Sequence, residues 1–142
     1  MTDQEQGPSK VVPYLVAALV CDAAATDPTT RKKSLIGIFD RLWVGRFPTQ
    51  RPLSVYIRLT DAEGEYNIEV RFVQVSSGQA LASAVGQARI DNRLNSLDMV
   101  MDYPPLPIPD EGRYEFQIYA NEAYLGGTFI DVRHRPTQPT GG

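Results

Sequence analysis

The stretch that most constrains the chain runs from Asp110 to Arg133, because it reads as two extended segments and the turn that joins them. From Tyr114 to Ile118 apolar and polar residues alternate: Tyr114, Phe116 and Ile118 against Glu115 and Gln117. A period of two puts one set of side chains on one face of a strand and the other set on the opposite face. Asn121 and Glu122 interrupt the run, and a second strand is predicted from about Leu125 to Arg133. A hairpin of this kind needs further strands to bury its apolar face. The rest of the chain supplies them.

Leu53, Val55, Ile57 and Leu59 alternate with Tyr56, Arg58 and Thr60, and Ile68, Val70 and Phe72 alternate with Glu69 and Arg71. The polar turn Asp61 to Glu65, with Gly64, predicts a hairpin between these two runs. Ser76-Ser-Gly-Gln79 predicts a second turn into a small-residue strand over about 81–90, making the middle of the chain a meander. The apolar run 12–21 reads as the first strand, and Ser34 to Phe39 as the second, with Gly37 marking a bulge or a close backbone approach. Residues 40–52 are expected to be irregular. Ile90, Leu94 and Leu97 have helical spacing and predict one or two helical turns over 91–97. Leu97 to Met101 reads as a short strand, and the prolines of 104–109 favour an extended crossing between sheets. No long helical segment separates the runs, so the expected fold is all-β: a single immunoglobulin-like or C2-like sandwich of seven or eight mainly antiparallel strands. Residues 11–134 form the predicted domain, with polar tails at 1–10 and 135–142.

Charge and cysteine content narrow the function classes. A net charge of −3 gives no basic footprint for a nucleic acid or a membrane surface. The only cysteine, Cys21, cannot form an intrachain disulfide, which suits a reducing, cytoplasmic setting. Val11 to Val20 followed by Ala23-Ala-Ala25 imitates a signal peptide, and Leu19-Val-Cys21 hints at a lipoprotein box. The acids before it, the interrupting Pro13 and the valine preceding the cysteine favour the strand reading.

Asp110-Glu-Gly-Arg-Tyr-Glu-Phe116 resembles the Asp-x-Gly-x-Tyr-x-Cys corner of immunoglobulin domains, where a tyrosine hydroxyl bonds back to nearby backbone. The resemblance implies that corner role for Tyr114, while Phe116 replaces the family's cysteine and fills its volume. The order Ala18-Leu-Val-Cys-Asp22, Ser34 to Asp40, Phe47-Pro48 and the terminal Gly-x-Tyr-x-Phe hairpin is similar to a family of small bacterial β-sandwich proteins of unknown function. That likeness implies a stand-alone bacterial sandwich and transfers no activity.

Chemistry has few places to reside. Arg41-Leu-Trp-Val-Gly-Arg-Phe-Pro48 gathers two large aromatics and two arginines, the residue types most enriched at interface hot spots. Exposed, Trp43, Arg46 and Phe47 would bind a partner or stack on a sugar; buried, the two rings would plug the open end of the sandwich. Carboxylates gather in three places: Asp61, Glu63 and Glu65; Asp22 and Asp27; and Asp98, Asp102, Asp110 and Glu111. These suggest a calcium end, although the spacing matches no defined calcium loop. One histidine, His134, next to the predicted tail, and one cysteine make a catalytic constellation or a zinc site unexpected, and no cofactor motif is present. A third candidate is a sheet face carrying two of Tyr56, Tyr119 and Phe129. The expected function is that of a non-enzymatic protein-interaction or accessory module, with an unknown protein or a second copy of the chain as partner. The alternative is a carbohydrate- or calcium-binding sandwich.

Overall fold

Among the described residues every regular element is extended. The computed structural model describes residues 11–136. It contains nine strands: β1 (Tyr14–Thr26), β2 (Lys33–Ile38), β3 (Arg41–Val44), β4 (Thr49–Thr60), β5 (Gly64–Gln74), β6 (Gln79–Ile90), β7 (Leu97–Ile108), β8 (Gly112–Ala120) and β9 (Ala123–His134). Sheet order is β2-β1-β4-β7 in a four-stranded sheet and β3-β9-β8-β5-β6 in a five-stranded one. All pairings are antiparallel except β3 with β9.

The alternating residues meet between the sheets. Leu53, Val55, Ile57 and Leu59 of one sheet and Ile68, Val70, Phe72, Tyr114, Phe116, Ile118, Ile130 and Val132 of the other form one buried cluster. Phe72 sits at its centre, stacked on Tyr114 at 5.0 Å and tilted against Phe116 at 4.9 Å. Phe116 has no exposed surface and fills the position where immunoglobulin domains carry a cysteine. The Tyr114 hydroxyl donates to the Asp110 carbonyl, forming the expected corner. Asn121 and Glu122, both at positive φ, make the two-residue β8–β9 turn, a conformation that matches the twist of the flanking strands.

Four expectations are corrected. The run before Asp61 and the run after Glu63 are not a hairpin: β4 and β5 belong to different sheets, and the connection crosses between them. Buried Ala62 and the bond from Glu63 N–H to the Tyr66 hydroxyl pin that crossing. Residues 91–96 form bends and a turn rather than helix, and Leu97 already begins β7; Leu94 is exposed, so the spacing of Ile90, Leu94 and Leu97 builds no buried helical face. Residues 40–52 hold β3 and the start of β4. The prolines of 104–107 do not leave the sheet either; β7 continues to Ile108 with a shift of register against β4 at Pro104–Pro105, which an edge strand accommodates because it needs no N–H donors on its outer side. The total is therefore nine strands rather than seven or eight.

The β1–β2 hairpin does not continue straight. Lys33 pairs with Thr26, whereas Asp98 lies in the row of Arg58 and Ala17, nine residues back along β1. On an undeviating strand that separation is about 30 Å. Lys33 Nζ nevertheless lies 3.6 Å from Asp98 Oδ1, so the hairpin folds back over the outer face of the four-stranded sheet. Within the hairpin, Gly37 has φ of +70°, and its close approach to the Asp22 carboxylate leaves no room for a side chain. Cys21, at the base of the fold-back, is fully buried, and burial pushes its thiol pKa up.

Candidate functional site

The parallel pairing of β3 with β9 brings two distant segments of sequence together. Trp43 lies opposite Arg133, and Arg41 opposite Asp131. Leu42 and Val44 point toward the core, so the alternation of β3 sends Arg41 and Trp43 outward, and Trp43 is 48% exposed. The Arg135 guanidinium lies 5.9 Å from the centre of the Trp43 ring, within cation–π range. Past Val44 the chain turns through Gly45 and exposed Arg46 to Phe47, which is joined to Pro48 by a cis peptide bond.

Phe47 is half-buried and packs against the core and the His134 ring at 6.1 Å. Trp43 is therefore surface and Phe47 largely structural, so the two rings divide the roles that sequence left open. His134 is not part of a tail. It is the last residue of β9, with Nε2 3.1 Å from the Gly45 carbonyl and its backbone N–H donating to Glu111.

Charge is unevenly distributed around this corner. Arg58, Arg71, Arg89, Arg93 and Arg113 each have a carboxylate partner. Arg31, Arg41, Arg46, Arg51, Arg133 and Arg135 have none within ion-pair distance among the described residues, and four of these six adjoin Trp43: Arg41 and Arg46 in sequence, Arg133 opposite it on β9, and Arg135 over its ring. Sequence reading found Arg41 and Arg46 in the loop but missed Arg133 and Arg135, because nothing local announces a parallel pairing across roughly ninety residues. The alternation Arg133-His-Arg135 next to a strand end was the available signal.

The outer face of the five-stranded sheet continues the aromatic character. Tyr119 and Phe129 share it, as expected from Ile130 and Val132 facing inward, and Tyr124 joins them; Tyr56 lies on the other sheet. Arg71 lies 4.1 Å from the centre of the Tyr119 ring and Arg113 4.6 Å from that of Phe129, while Tyr119 and Tyr124 meet edge-on at 5.5 Å. Beside the Phe47–Pro48 turn, a groove of about 600 Å³ opens between Pro48, Leu81, Pro107, Pro109, Gln74 and Asp110. Its lining offers one carboxylate and no nucleophile–base pair.

The carboxylates do not converge. Asp61 pairs with Arg93, while Glu65 and Asp91 share Arg89. Asp27 accepts from the N–H groups of Thr29 and Thr30 in its own turn, which lowers its pKa. Asp102 accepts from Ser54, and Asp98 from Tyr56. Among the described residues no group of three or more metal-ligating side chains exists.

An immunoglobulin-like protein from Pseudomonas aeruginosa is similar at 10% identity and a TM-score of 0.42, covering 88% of this chain and 99% of its own. No curated protein matches the chain. A family model matches residues 16–133, from the interior of β1 to the end of β9, and the chain belongs to that family, DUF6941, a family of unknown function.

Proposed function

We propose that the protein is a non-enzymatic interaction module whose docking element is the β3 corner centred on Trp43. One observation carries this reading: the only tryptophan of the chain stands half-exposed on an edge strand, next to four arginines that have no carboxylate partner among the described residues. Trp and Arg dominate interface hot spots because each combines a large contact area with directional hydrogen bonding. Leaving such groups solvated in an isolated molecule gains nothing for folding.

Support for a non-enzymatic role comes from the groove beside Pro48. It has the size of a ligand site but lacks the paired titratable groups that acid–base or nucleophilic chemistry needs. A carbohydrate- or calcium-binding role built on Trp43 with loop carboxylates competes less well, because Asp61, Glu65 and Asp91 pair with Arg93 and Arg89 rather than with the Trp43 corner. The test is capture of partners on the immobilised protein beside a Trp43→Ala variant shown to be folded. A protein retained by the native chain and lost from the variant supports the reading; equal retention on both refutes it.

A further inference from the structure

The β3 corner has a second property besides its side chains. β3 ends the order β3-β9-β8-β5-β6, so one whole side of its backbone faces outward. The bonds that flank it, Asp131 N–H to the Asp40 carbonyl and Arg135 N–H to the Val44 carbonyl, both run inward to β9. Open edges of this kind pair with extended chains, and proteins commonly blunt them with charge. Here the charge is mainly positive: Arg41 on the strand itself, Arg46 just beyond it, and Arg133 and Arg135 behind, against Asp131 opposite Arg41. Of the acids nearby, Asp40 directly precedes Arg41, and two others have partners of their own. Asp131 lies 3.4 Å from Arg113, and Glu111 accepts from the His134 backbone.

Resting on the interaction reading above, we infer that the partner contributes an extended, acidic segment of protein, which adds as a further strand beside β3. Its carboxylates meet the guanidinium groups of Arg41, Arg133 and Arg46, and its apolar side chains lie against the Trp43 ring. Charge decides between this occupant and the obvious rival. A second copy offering the same edge would set arginine against arginine, which is unfavourable across strands. A planar guanidinium takes a carboxylate through two parallel hydrogen bonds, so the same residues that repel a copy select an acidic strand. A polyanionic nucleic acid is disfavoured by the net charge of −3, which leaves the rest of the surface repulsive.

The experiment uses the intrinsic fluorescence of Trp43, which is unambiguous because it is the only tryptophan. The full chain is titrated with a synthetic peptide of about ten residues that alternates glutamate with valine, with its lysine–valine counterpart, and with single-stranded oligodeoxythymidylate. The expected result is a saturable change with the glutamate peptide alone, its affinity falling roughly tenfold between about 0.02 and about 0.5 M salt. Amide exchange at Arg41 to Val44 should slow in the complex, reporting the added strand. The doubly reversed variant Arg41→Glu, Arg133→Glu changes two exposed side chains; it should lose the glutamate peptide by about tenfold or more and acquire the lysine peptide. No response to the glutamate peptide, an equal response to both peptides, binding of the oligonucleotide alone, or self-association of the free chain through β3 would each overturn the inference. If the peptides are silent while partner capture still depends on Trp43, the interaction reading survives and only the acidic-strand inference falls.

Discussion

The Tyr114 hydroxyl donates to the carbonyl of Asp110, four residues upstream, at 2.6 Å, from a side chain with no exposed surface. The same hydroxyl accepts from the Asp110 N–H at 3.3 Å. Both backbone groups of one residue are thus satisfied by one side chain at the point where the chain passes from β7 into β8. Tyr114→Phe keeps the ring and its stacking on Phe72 but strands the Asp110 groups. The expected loss is about 1–3 kcal/mol in the unfolding free energy from urea melts, with the fold unchanged.

Tyr103 is buried, and its hydroxyl donates to the Val70 carbonyl of the opposite sheet. Burial pushes its pKa well above the ordinary tyrosine value, and the negative charge of Glu69 adds to the shift. For an acid whose folded-state pKa is raised, the neutral form favours folding. Its contribution is full below the unfolded pKa of about 10 and is lost progressively as pH rises through and beyond that value. Stability should therefore fall with pH above about 9.5, and Tyr103→Phe should flatten that fall while lowering stability at neutral pH. Urea midpoints collected between about pH 7 and pH 11 for both proteins check this.

Two glycines with nearly the same backbone conformation separate strain from crowding. Gly37 has φ of +70° and Gly78 has φ of +72°, but an added Cβ collides with the Asp22 carboxylate in the first case and meets nothing within 4 Å in the second. Gly78→Ala should cost about 1 kcal/mol, the price of a left-handed alanine. Gly37→Ala should cost about 2–3 kcal/mol, because Asp22 must also move. Equal losses in denaturant would show that the Asp22 contact yields freely.

The fold-back of the β1–β2 hairpin predicts the reactivity of Cys21. With the thiol fully buried, labelling by an aromatic disulfide requires local opening, and an opening cost of about 3 kcal/mol slows it about a hundredfold relative to the unfolded chain. Lys33 and Asp98 hold the hairpin down, and both side chains are largely shielded from solvent. Lys33→Ala should weaken that hold by about 1 kcal/mol and speed labelling about fivefold, with global stability little changed. Unchanged labelling kinetics would separate the Lys33–Asp98 contact from the protection of the thiol.

The strands that were readable from sequence are those in which alternation maps directly onto burial, such as Leu53 to Leu59 and Tyr114 to Ile118. The tyrosine corner was equally legible, because its whole hydrogen-bond circuit lies within five residues. What could not be read was which sheet each strand joins. The turn after Thr60 has the composition of a hairpin turn, and only the packing of Ala62 and Tyr66 sends β5 to the other sheet. The same limit applies to the site. Trp43 was identifiable by residue type, but its exposure depends on β3 pairing with β9, and the arginines that complete the corner arrive from the far end of the chain through that pairing.

Only Phe39 and Asp40 separate the last residue of β2 from the first of β3, and each makes one backbone bond: Phe39 N–H to the Val20 carbonyl in one sheet, and the Asp40 carbonyl from Asp131 N–H in the other. In mechanical terms this crossing is a stitch along the open flank of the sandwich. The sheets cannot shear past one another there without breaking one of the two bonds. The edge that carries Trp43 is therefore registered against both sheets at once, and a strand docking on it meets a fixed rail rather than a swinging arm.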